Sequence, residues 1–175
     1  EEIQYLTGKN VELKKSLIKD MRDQARNLLS HIIPGLKEHF GQYEVVSAEE
    51  QLYEPVENSD KMYKGFIDLI LKTKDGKYHV IDWKTCSWGW DARRKNERMV
   101  TYQLAYYKHF FSKKHDIDPK NIETHFALLK RTAKSNKVEI FRVTSGDKKI
   151  ENSLKLLDKA VYNIKQENYV KNRLS

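Results

Sequence analysis

A single cysteine, Cys86, in 175 residues excludes an intramolecular disulfide, a four-cysteine zinc site and a cysteine-ligated iron–sulfur cluster. A reducing compartment fits that usage. No apolar run approaches the roughly 20 residues of a membrane span, and Glu1 to Asn10 lack the charged-then-apolar order of a signal peptide. Neither secretion nor membrane insertion is expected. Repeats, linkers and low-complexity tracts are also missing, so one domain over residues 1–175 is the expectation. The chain starts at Glu1 rather than methionine, which leads to the further expectation that an upstream segment is lacking.

What is present is a mixture of 39% hydrophobic and 33% charged residues, too apolar for a disordered tail and, at a mean hydropathy of -0.79, too polar for a membrane protein. Lys plus Arg outnumber Asp plus Glu by 33 to 25, a net charge of +8. That balance favours a polyanionic partner, with nucleic acid as the first choice.

From Asn10 to Phe40, apolar residues from Val11 through Leu17, Met21, Leu28 and Ile32 to Leu36 recur at helical spacing, and Pro34-Gly35 should kink or end that helix. Tyr43 to Val56 reads as extended. Lys64–Leu71 and Tyr78–Lys84 read as a hairpin around Lys74-Asp75-Gly76. Glu97–Ser112 returns to helical spacing, Glu123–Arg131 and Lys137–Thr144 read as strands, and Ile150 to Ile164 forms a last stripe, capped by Ser145 or Asp147. The order predicts an α/β fold with a mixed central sheet flanked by helices.

The chemistry concentrates in the hairpin. Gly65-Phe66-Ile67-Asp68 and Ile81-Asp82-Trp83-Lys84 each set an acid inside an apolar run, and Asp82 and Lys84, two apart, share a face. A two-residue loop would set Asp68 against Trp83 on the wrong side. A three-residue loop closed by Gly76 in the left-handed conformation sets Asp68 against Asp82. Opposed carboxylates about 5 Å apart at Cβ repel unless a cation intervenes, and Mg²⁺ takes one or two carboxylates plus waters and phosphate. Lys84 could then orient water or stabilise charge on a phosphate. The spacing alone equally allows a structural Asp–Lys pair on a sheet rim.

The ordered motifs Gly-Phe-Ile-Asp, Ile-Asp-Trp-Lys-Thr and Gln-Leu-Ala-Tyr-Tyr resemble the PD-(D/E)xK nuclease superfamily, specifically its RecB-like exonuclease branch, from roughly Val45 onward. The resemblance implies a restriction-endonuclease-like core, Mg²⁺ or Mn²⁺, and a DNA substrate. By the same resemblance Asp68 and Asp82 are metal ligands, Lys84 is the catalytic lysine, and Gln103 and Tyr107 match the branch's Q-x-x-x-Y element. Glu49 matches the first-strand glutamate, with Glu50 as the alternative on the opposite face. Ile67 stands where the family name has proline, a replacement common in the branch. His31 is the residue placed to serve as the branch's upstream histidine ligand. The iron–sulfur relatives need four cysteines, and Cys86 alone excludes that subtype.

Between Lys84 and the Gln103 helix, the stretch Ser87 to Arg98 combines Trp88 and Trp90 with Arg93, Arg94, Lys95 and Arg98. Rings that stack on bases and cations that hold phosphates read as a nucleic-acid-binding segment, against a plain solvated loop as the other reading.

The expectation is therefore a metal-dependent DNA exonuclease of replication, recombination or repair, acting on single-stranded DNA or free ends. Its expected setting is the cytoplasm, phage-encoded or not, or else an organellar matrix. Asp82-Trp83-Lys84-Thr85 also looks similar to the mitochondrial genome maintenance exonucleases, a local similarity that is not extended to organelle targeting. An endonuclease of the same fold, structure-specific or RNA-directed, and a cleavage-inactive binding module are the rivals. Intact Asp68, Asp82 and Lys84 argue against the latter.

Overall fold

The computed structural model describes residues 15–168. They run α1 (Lys15–Phe40), β1 (Tyr43–Pro55), β2 (Met62–Thr73), β3 (Tyr78–Cys86), α2 (Ala92–Lys95), α3 (Arg98–His115), a 3₁₀ turn at Pro119–Asn121, β4 (Ile122–Lys130), β5 (Val138–Val143) and α4 (Asp147–Lys165). Val11 and the start of the predicted first helix lie outside the described residues.

Turn chemistry sets the register of the central hairpin. Gly76 has φ 83°, its N–H donates to Thr73 O at 2.9 Å, and Thr73 N–H donates to Lys77 O at 3.0 Å. This is the three-residue loop that the left-handed glycine permits. The five strands form one mixed sheet in the order β1-β2-β3-β4-β5. All neighbouring pairs are antiparallel except β3 and β4, which run parallel from Tyr78↔Ile122 to Cys86↔Lys130. A parallel pair needs a crossover, and α3 supplies it.

The crossover fixes the two faces of the sheet. On one face Leu52, Ile67, Ile70, Val80 and Phe126 meet Leu104, Phe110 and Phe111 of α3. Each buried phenylalanine contributes about 2–3 kcal/mol by transfer. On the other face Leu71, Ile81 and Ala127 meet Leu36, Ile32 and Phe40 of α1. The last helix, α4, packs on α3, where Tyr106 donates to Ser153 O at 2.7 Å. Among the described residues no helix is long and apolar enough to cross a membrane.

Three local expectations are corrected. Helix α1 runs through Pro34 instead of ending there. Burial of Leu36 beyond it, with the partly buried Phe40 packed on the same cluster, holds the last turn against a proline cost of about 3 kcal/mol. Gly35 has a packing role, because a Cβ there would lie 3.0 Å from Val138 Cβ on β5. The apolar stripe of α1 is only partly used: Leu28 and Leu36 are buried, while Leu17, Met21, Leu29 and Ile33 are exposed. The helix packs mainly on β5, and that contact is narrower than the stripe. Finally, neither Ser145 nor Asp147 caps α4. Its N-cap is Gly146, and the Ser145 hydroxyl instead pairs with that of Thr124 at 3.0 Å.

Candidate active site

Strand alternation carries Val80, Asp82 and Lys84 onto the α3 face, where Asp82 neighbours Phe126. Asp82 is 2% exposed. Its carboxyl is raised from its ordinary range, by burial first and by the Asp68 charge in addition, against the opposing pull of Lys84. Lys84 Nζ lies 2.6 Å from Asp82 Oδ2. The two form a close ion pair, and the Asp68 charge acts on the same carboxylate.

Asp68 reaches the same place through a break in the sheet. The β2–β3 pairing ends at Leu69↔Ile81, one step before Asp68 and Asp82 would face each other. There Asp68 Oδ2 accepts from Trp83 N–H at 2.7 Å, replacing a ladder bond with a side-chain one. Alternation breaks at the same point, because Ile67 and Ile70, three apart, both join the α3-side core. Across from it on β1, Glu49 has φ 53° and falls between the pairs Ala48↔Leu69 and Glu50↔Ile67. A glutamate held there costs of order 1–3 kcal/mol, strain of the kind that collects at functional sites.

Helix α3 completes the arrangement. Lys84 Nζ donates to Gln103 Oε1 at 2.9 Å, and Gln103 Nε2 donates to Tyr107 Oη at 2.9 Å. The amide accepts from lysine on one side and donates to the phenol on the other, so the tyrosine proton is free to donate outward. Burial raises the Tyr107 pKa, and the charges of Asp82, Asp68 and Glu49 raise it further against the Gln103 bond. Gly65 makes room for the ring: a Cβ there would come within 3.1 Å of Tyr63 and 3.2 Å of Tyr107.

Asp68, Asp82, Lys84, Gln103 and Tyr107 thus converge, with the Glu49 charge reaching the same phenol. Glu50 belongs elsewhere, bound at 2.7 Å to Lys114 and 2.9 Å to His115 at the end of α3. His31 is not brought to the site. It is exposed on α1, which packs on the opposite face of the sheet. Two neighbouring carboxylates, Asp68 and the buried Asp82, are oxygen donors of the kind a hard divalent cation takes, so the pair fits such an ion.

The segment after β3 divides in two. Trp90 packs edge-on against Phe126 at 5.3 Å, and Lys95 is tied to Glu139 at 2.5 Å. Trp88, Arg93, Arg94 and Arg98 are exposed, with the Arg94 guanidinium 5.0 Å over the Trp90 ring. Asp91 caps the short α2 by accepting from Arg94 N–H at 2.7 Å.

Sequence reasoning missed a second cluster, His79, Glu123 and His125, on the α1 face. The signal available was the Glu-x-His alternation at the start of β4. It gains meaning only from the parallel register that pairs His79 with Glu123, and a sequence does not display that register.

Comparison with known proteins adds the lineage. The chain resembles the solved structure of SSO0001, with 17% identity and a TM-score of 0.49, over 92% of this chain and 66% of that one. It also resembles a protein from Eubacterium rectale described as a candidate exonuclease, with 11% identity and a TM-score of 0.58, over 87% of this chain and 57% of that one. The chain therefore spans less than two thirds of the length of either. No curated protein matches it. The sequence pattern of the PD-(D/E)XK nuclease superfamily matches residues 4–174, nearly the whole chain and all of the residues that converge on Asp82. The chain belongs to the PD-(D/E)XK nuclease superfamily.

Proposed function

We propose that this chain is a Mg²⁺- or Mn²⁺-dependent deoxyribonuclease of the RecB-like branch, an exonuclease that acts on DNA ends in replication, recombination or repair. The observation that carries the reading is the convergence of Asp68, the buried Asp82 and Lys84 on one face of the sheet, with Gln103 bonded to Lys84.

Asp68 and Asp82 would hold the cation, which when bound polarises the scissile phosphate and lowers the pKa of water. Asp68 has little freedom to turn away, because Trp83 N–H fixes one of its oxygens. Lys84, steadied by Gln103, orients the attacking water and neutralises charge that develops on the phosphate. Tyr107 directs its free O–H toward the same strand, and Glu49 adds a carboxylate at the rim. No side chain forms a covalent bond to the substrate. Trp88, Arg93, Arg94 and Arg98 are exposed beyond β3 and would hold single-stranded DNA by stacking and phosphate contacts.

The test compares end-labelled linear single-stranded DNA with a covalently closed circle of the same sequence, in Mg²⁺ and in EDTA. Degradation of the linear form alone, and only with Mg²⁺, is expected. Comparable nicking of the circle would make the chain an endonuclease with the same residue roles. Binding of DNA without cleavage in either metal would reduce it to a binding module.

A further inference from the structure

We propose that His79, Glu123 and His125 form a zinc site on the face of the sheet opposite Asp68 and Asp82, independent of the nuclease chemistry. β3 and β4 bring the three together by parallel pairing. His79 is the register partner of Glu123, and His125 lies two residues further along the same face.

The two rings stand at hydrogen-bond distance from each other, whereas the carboxylate does not reach either. His79 Nδ1 is 3.1 Å from His125 Nε2, while Glu123 Oε2 is 3.9 Å from each of those nitrogens. At 3.9 Å the carboxylate makes no hydrogen bond to either ring. The point in the plane of the three atoms that is equidistant from them lies about 2.1 Å from each, the length of Zn–N and Zn–O bonds, and shifts of a few tenths of an ångström, the rings parting and the carboxylate closing in, would bring the donors to tetrahedral spacing. Two imidazoles and one carboxylate are a zinc donor set, and His₂Glu with an open position is a known form of it.

The surroundings orient the donors. The Thr73 hydroxyl has one proton, given to Asp75 Oδ1 at 2.5 Å. Its contact of 2.9 Å with His79 Nε2 is therefore accepted from the ring. That leaves Nδ1 of His79 as the unprotonated nitrogen, with its other ring nitrogen held by a hydroxyl, an outer contact of the kind that orients metal-binding histidines. On Glu123, Lys77 and Arg142 take the other oxygen, Oε1, at 3.1 and 3.3 Å, and leave Oε2 to the ion. Both rings are buried, at 7% and 2% exposure, and His125 Nδ1 has no partner. Burial favours the neutral imidazole in both, the form that ligates.

The site also has an entrance. His79 and Glu123 line a cavity of about 410 Å³ together with His39, Phe40 and Thr73, so the fourth position is open to water. An ion there would tie the two central strands together at the end of α1.

Cobalt titration of the chelator-stripped chain tests this, because Co²⁺ in a tetrahedral nitrogen and oxygen site absorbs in the visible and zinc displaces it. We expect one equivalent to give the band in both the parent chain and the Asp68→Asn/Asp82→Asn double variant, and zinc to raise the melting temperature of both. Glu123→Gln and His79→Gln, checked for folding by far-ultraviolet circular dichroism, should bind at least ~10-fold more weakly. Absence of the band, or its persistence unchanged in folded Glu123→Gln, would overturn the proposal. Loss of the band in the double variant would do so too, by assigning the ion to the nuclease site. The double variant thus separates a failure here from a failure of the nuclease reading.

Discussion

At the residue scale, the site depends on a few close fits. Gly65 is one of them, since a methyl group there meets the Tyr63 and Tyr107 rings at 3.1 and 3.2 Å. Gly65→Ala should displace the Tyr107 ring by a few tenths of an ångström and weaken its bond to Gln103. We expect a fall in kcat/KM of about tenfold at near-unchanged stability, read by steady-state cleavage beside a thermal melt. Glu50 illustrates the opposite kind of residue, conspicuous in sequence yet structural. Burial would raise its pKa, but Lys114, His115 and Ser47 outweigh burial and push it down to about 2. A carboxyl lowered in the folded state contributes stability that is fully present above about pH 4.5 and is lost as pH falls toward about 2. Glu50→Gln should accordingly cost about 1 kcal/mol at neutral pH. That difference should vanish near pH 2 in urea melts of the two proteins, and a constant difference would contradict the pairing.

At the scale of elements, legibility followed periodicity and ended where long-range pairing began. Asp82 and Lys84 could be put on one face from their two-residue spacing, and Asp68 could be matched to Asp82 from the Gly76 loop, because both are local rules of strand and turn. The break at Asp68, with Glu49 in the left-handed region across from it, follows from no local propensity. Helix α1 passing through Pro34 and the pairing of β3 with β4 depend on contacts between distant residues, which pattern alone does not reveal. The same distinction divides the segment after β3. Replacing Arg93, Arg94 and Arg98 with alanine should flatten the salt dependence of DNA binding by roughly three phosphate contacts. Lys95→Ala should instead lower stability through its lost bond to Glu139 and leave the slope unchanged. Binding measured from 50 to 200 mM salt distinguishes the two.

At the scale of the whole molecule, the sheet works as a two-sided plate. One face, under α3, gathers Asp68, Asp82, Lys84, Gln103 and Tyr107, and the other, under α1, gathers His79, His125 and Glu123. The net charge of +8 suits a polyanionic substrate for the first face. The central claim is that Asp82 serves as a ligand and Lys84 as a charge stabiliser, and cleavage paired with Mg²⁺ titration tests it most directly. Hydrolysis of end-labelled DNA by the parent chain, Asp82→Asn and Lys84→Ala should fall at least ~100-fold in both variants. Calorimetric Mg²⁺ binding should be lost in Asp82→Asn and retained in Lys84→Ala. Cleavage by folded Asp82→Asn at the parent rate would contradict the account.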